Sequence, residues 1–87
     1  MIFEHAGKCY NTVFGSDVQR DGVFLEMTEC GRNELILEAF YSDANAGFSF
    51  SCFQEVIPFE VVEFFVAEAR RRLPPHSDAQ VLPSSQV

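Results

Sequence analysis

The sequence predicts an α+β fold: an antiparallel β-meander of four to five strands with one C-terminal helix packed on one face. Two observations carry that prediction. Apolar and polar residues alternate with period two in three runs between Val23 and Phe53, the pattern of half-buried strands separated by turns. After Pro58 the period lengthens to that of a helix and stops at Pro74-Pro75, where proline cannot continue it. Residues 1–73 read as a single domain. Residues 74–87, polar and rich in Pro and Ser, read as a disordered tail.

The elements follow in chain order. Ile2 and Phe3, then Tyr10, Val13 and Phe14, predict short extended pieces separated by Ala6-Gly7, and Asp21-Gly22 marks a turn. The run Val23–Cys30 places Val23, Leu25 and Met27 on one side, Glu26 and Thr28 on the other. After a turn at Gly31-Arg32-Asn33, Glu34–Tyr41 places Leu35, Leu37, Ala39 and Tyr41 inward and Glu34 and Glu38 outward. Glu26 and Glu38 are thereby candidates to face each other across a hairpin, where like charge would shift a pKa. A loop precedes the last run, which points Phe48, Phe50 and Cys52 inward and Ser49 and Ser51 outward.

The helix is predicted from Pro58 to Leu73. Pro58 suits its first position, where a missing N–H costs nothing. Glu60 and Glu63 near the start, and Arg70, Arg71 and Arg72 near the end, complement the helix dipole. Glu68 is spaced to pair with Arg72. At about 100° per residue, Val61, Val62, Phe65, Val66, Ala69 and Leu73 form the sheet-facing stripe. Phe64 falls roughly 130° from its centre, in an outward column with Glu60, Glu68 and Arg71.

Stretch Phe48–Phe65 holds six of the chain's ten phenylalanines. On this reading Phe48, Phe50 and Phe65 are core, while Phe53 and Phe64 are left over. The sheet face away from the helix also carries an excess, namely Phe24, Ile36, Phe40 and Phe53 among its glutamates. That face needs a second cover: the N-terminal segment, a loop or another chain.

Composition bounds the function. No apolar run approaches the roughly 20 residues that span a bilayer, and the start shows no signal-peptide pattern, with Glu4 and His5 directly after Ile2-Phe3. Cys9, Cys30 and Cys52 form no CxxC pair and show no disulfide framework. The expected location is cytoplasmic. Net charge is −7, and residues 1–69 set 12 acids against three bases, a net of −9. Such a body attracts basic partners and repels phosphates and anionic lipid.

Chemistry-bearing patterns are sparse. His5 and Cys9 are four apart, but no second pair completes a zinc site, and no motif supports them as a catalytic dyad. There is no phosphate-binding loop or dinucleotide fingerprint, and Asp43-Ala44-Asn45 fails the calcium-loop spacing. No enzyme activity, metal or cofactor is expected.

A meander followed by one helix, over residues 8–73, resembles in topology the PUR-type single-strand-binding repeats, with no shared motif. The resemblance implies a nucleic-acid-binding sheet. Such a sheet needs a positive groove with stacking aromatics, whereas this one carries Glu26, Glu34 and Glu38. Nucleic acid is therefore not the expected partner. The expected function is a small acidic protein-binding domain, such as an inhibitor of the immunity-protein type acting on a basic partner. Its contact residues would be Phe64, Glu60, Glu68, Phe53, Phe40, Phe24 and Ile36. The alternative is a homodimer through the second sheet face.

Overall fold

A computed structural model describes residues 1–74; apart from Pro74, the expected tail lies outside the described residues. Strands β1 (Ile2–His5), β2 (Lys8–Asp17), β3 (Gly22–Glu29), β4 (Leu35–Ser42) and β5 (Gly47–Cys52) make one sheet in chain order. Each pairs antiparallel with the next. Helix α1 (Phe59–Arg72) packs on one face of it. This is the α+β meander read from the alternation, with the N-terminal third supplying two strands. The helix begins one residue later than expected: Pro58 is its cap residue, and its carbonyl accepts from the N–H groups of Val61 and Val62.

Turn chemistry sets the register. Ala6 and Gly7 both lie at positive φ, 52° and 80°, the backbone a two-residue hairpin needs to match strand twist. At the next hairpin Asp21 takes the left-handed conformation (φ 56°), and Gly22 follows in β3. A Cβ on Gly22 would stand 2.1 Å from the Tyr41 carbonyl oxygen and 2.6 Å from the Phe40 ring. Only glycine lets β3 and the Phe40 ring approach this closely.

The register aligns Leu25 with Ala39 and Met27 with Leu37 across β3 and β4. Against them the helix sets Val61 and Phe65, and Leu73 follows just past its end. These residues, with Tyr10 and Ala69, form the buried core. One irregularity corrects the face assignment made from alternation. Met27 faces Leu37 but Thr28 faces Leu35, so Ile36 is an extra residue in β4. Such a bulge breaks the period-two rule, and Ile36 joins the main core at 2% exposure rather than the opposite face.

The helix is also turned. Its buried residues are Val61, Phe65, Glu68 and Ala69, with Phe64 packed against the core, while Val66 is 39% exposed. Relative to the expected stripe, the buried arc is rotated by roughly 60° towards Phe64. On that side the Phe3 ring of β1 stacks on Phe64 at 4.0 Å and 9°. On the other side Phe65 meets the Phe50 ring of β5 less closely, at 6.0 Å between ring centres.

Candidate functional site

The outward helix column expected to meet a partner is largely closed. Phe64 is sandwiched between the core and Phe3. Glu68 is 5% exposed; Arg71 donates to it through two nitrogens, at 2.7 and 3.3 Å. The Arg72 guanidinium lies 3.6 Å from the same carboxylate and covers the Phe14 ring. A buried carboxylate requires such partners, so the basic cluster is mostly spent inside the fold. Among these residues Glu60 faces outward, 3.6 Å from His5.

The second sheet face is covered from within. The Arg20 guanidinium, from the β2–β3 turn, lies 4.1 Å above the Phe40 ring. It donates to Glu38 at 2.7 Å and to Asp17 one turn back. Phe40 is 8% exposed beneath it. Phe24 is half-buried, its ring tip 2.6 Å from where a Cβ on Gly15 would sit. An aromatic ring laid over a cross-strand glycine fills the space the missing side chain leaves. The hydrogen bonds to Glu38 and then Asp17 hold the Arg20 guanidinium above its ordinary range, and Arg20 in turn holds Asp17 below its own. Glu26 does face Glu38 across β3 and β4. Its pKa is raised, first by desolvation and then by the Glu38 charge. Phe24, Phe40 and Ile36 are thus structural, and of that expected set Phe53, 53% exposed, reaches solvent most freely. Arg20 was missed; the signal for it was Asp17 three residues earlier, with Gly15 and Gly22 left bare for rings.

The cysteine reading also changes. Cys9 and Cys30 form a disulfide across β2 and the end of β3, and Cys52 is free and exposed. Bonded Cys9 cannot serve as a nucleophile with His5. Among the described residues no group of three or more His, Cys, Asp or Glu side chains is gathered as a metal centre needs. No described helix is long and apolar enough to cross a membrane.

What remains open is the far side of the sheet. Phe48 and Phe50, expected in the core, are 49% and 48% exposed. Their side chains do point to the helix face, Phe50 against Phe65 at 6.0 Å and Phe48 against Tyr41 at 5.2 Å between ring centres, but the helix covers them only in part. The result is an open apolar groove of about 270 Å³ between β5 and α1. Ala39, Phe48, Phe50, Phe65, Val66 and Ala69 line it, with Arg70 among its lining residues. Phe53 and Val56, between β5 and α1, and Phe59 at the start of α1 are also exposed, at 53%, 84% and 70%. So of the six crowded phenylalanines, Phe65 is fully buried, Phe64 partly, and the other four face out.

Strand β5 is also an edge. The Phe53 N–H donates to the Ile36 carbonyl, and hydrogen-bonded pairs alternate along an antiparallel ladder. Ser51 and Ser49 therefore pair with β4 in the same way, through Glu38 and Phe40. The main-chain groups of Phe48, Phe50 and Cys52 then point away from the sheet, three donors and three acceptors without partners among the described residues. No residue of β5 is charged and none is proline.

Compared with known proteins, the chain matches no family model, no curated protein and no solved structure.

Proposed function

We propose that this chain is a non-enzymatic protein-binding domain that captures a positively charged protein through the groove between β5 and α1. The single observation behind the reading is the coincidence of Phe48, Phe50 and Val66, all substantially exposed, with an uncharged strand edge that is unpaired among the described residues. Contiguous exposed apolar surface on a small domain is commonly an interaction site, and exposed strand edges are usually blunted with charge or proline. Aromatic anchors at the centre would supply affinity, and the chain's net charge of −7 would speed encounter with a basic partner. An inhibitor of the immunity-protein type is one form this takes. The expected cytoplasmic location rests on the absence of an apolar span and of a signal-peptide pattern, with the scattered cysteines in agreement; the Cys9–Cys30 bond withdraws that agreement, because such bonds persist mainly in oxidising compartments.

The test compares the wild-type chain with a Phe48→Ser, Phe50→Ser variant as bait in the native lysate; Phe64 is left intact because it stacks on Phe3. Both positions are half exposed, so circular dichroism should be unchanged. A basic protein retained by the wild type and lost from the variant supports the proposal. The same proteins held equally by both would refute it. A second reading, a homodimer, is favoured by the lack of charge on β5 and moves from the covered sheet face to this edge. Sedimentation showing a single species of 9.8 kDa at micromolar concentration would exclude it.

A further inference from the structure

We infer that the groove takes its partner as an added sixth strand: an extended segment with apolar residues at every second position and a positive charge at the end that lies beside Cys52. The inference rests on the reading that this groove is the binding site, and adds how the partner is held and which way it runs.

The mode follows from the backbone. The groups of Phe48, Phe50 and Cys52 that point outward are spaced as an extended chain requires. A helix laid in the groove would leave them unpaired, and unpaired main-chain groups become costly once water is excluded. Side chains opposite Phe48, Phe50 and Cys52 fall on the helix side of the sheet, because partners across a ladder share a face. There they meet the apolar wall of Val66, Ala69 and the two phenylalanines. The residues between them fall beside Ser49 and Ser51 on the other face, where polar side chains suit. An edge strand flanked by a helix is a recurring means of holding an extended peptide, with main-chain bonds giving affinity and side-chain pockets giving selectivity.

Direction follows from charge. At the Phe48 end Arg70 lines the groove, and Asp43 sits in the turn just before β5, so the two signs offset. The Cys52 end is followed by Glu55, and Glu63 lies in the first half of α1. Both are exposed and neither has an ion pair among the described residues. This end is acidic, with neither carboxylate paired among the described residues, and Lys or Arg of the segment belongs there. The excess negative charge of the whole chain also disfavours a second copy as occupant.

The probe is a displayed library of random twelve-residue peptides, selected on the full chain and counter-selected on the Phe48→Ser, Phe50→Ser variant. Selected sequences should alternate apolar residues and carry Lys or Arg at one end. Methylating the main-chain nitrogens that would face β5 should weaken binding at least tenfold, and the Glu55→Lys, Glu63→Lys variant should lose the preference for a basic end. Peptides with apolar residues three and four apart, indifferent to N-methylation, would overturn strand addition while leaving the groove as the site. Loss of groove dependence in every selected peptide would overturn both readings. Protection of the Phe48, Phe50 and Cys52 amides in the free protein, together with a dimer mass, would assign the edge to a second copy and overturn the segment.

Discussion

Strands β1 and β5 both end the sheet, and the two edges are treated oppositely. β1 has four residues, two of them Glu4 and His5, and its Phe3 is closed over by Phe64. Its neighbour β2 is fixed to β3 by the Cys9–Cys30 bond. β5 has six residues and no charge, its phenylalanines stand half in water, and its cysteine is free. Short length and charge keep one edge from recruiting other strands; the other has neither protection. The helix meets the two edges unequally: Phe64 stacks on Phe3 at 4.0 Å, whereas Phe65 lies 6.0 Å from Phe50, which stays half exposed. The closed edge stabilises the domain, and the open edge is where stability has been left unspent.

Substitutions can break this contrast from either side, and the largest effect is expected at the closed end. Reducing Cys9–Cys30, which spans 21 residues, should lower stability by about 3 kcal/mol, read as the shift in urea midpoint between reduced and oxidised protein. Phe64→Ala should follow at roughly 2–3 kcal/mol, from lost burial and a lost aromatic stack. At the open end, Phe48→Ser and Phe50→Ser should each cost about 1 kcal/mol, since each ring is half buried, against Tyr41 and Phe65. If either alone proves as costly as Phe64→Ala in thermal unfolding, β5 is covered in solution and the contrast fails.

The smallest effect concerns the covered face. The pKa of Glu26 is raised above its ordinary 4.5 in the folded state, so its contribution is most favourable while protonated and is lost as pH rises through the folded value. Glu26→Gln should therefore be closest to wild type near pH 4 and relatively more stable at pH 7. A gain in melting temperature that does not grow with pH would mean Glu26 is not desolvated there.

Much of the backbone was legible because it depends on local pattern. Val23–Cys30, Glu34–Tyr41 and Phe48–Cys52 alternate, and Pro58 and Pro74 bracket the helix, so the meander and its helix could be read directly. The site was less legible because it depends on contacts between distant residues. That Phe64 turns inward goes with its stack on Phe3, 61 residues earlier in sequence, and Phe48 and Phe50 are left half exposed. That Phe40 is covered follows from Arg20 reaching Glu38, 18 residues away. Ile36 changed sides through one extra residue in β4, which alternation alone cannot reveal. Glu68 looked like surface because acids usually are; its burial required Arg71 and Arg72 together.

The order of the sheet has a consequence for synthesis. Every strand pairs with the one made just before it, so the sheet can zip together as the chain emerges. Its core face, however, waits for Val61, Phe65 and Leu73. Between the emergence of Cys52 and that of Arg72, at about 5–20 residues per second, the apolar face stays bare for roughly one to four seconds. For that interval a nascent chain exposes Leu25, Met27 and Leu37 alongside the β5 edge. The nascent chain thus passes through an aggregation-prone stage that ends when the helix docks.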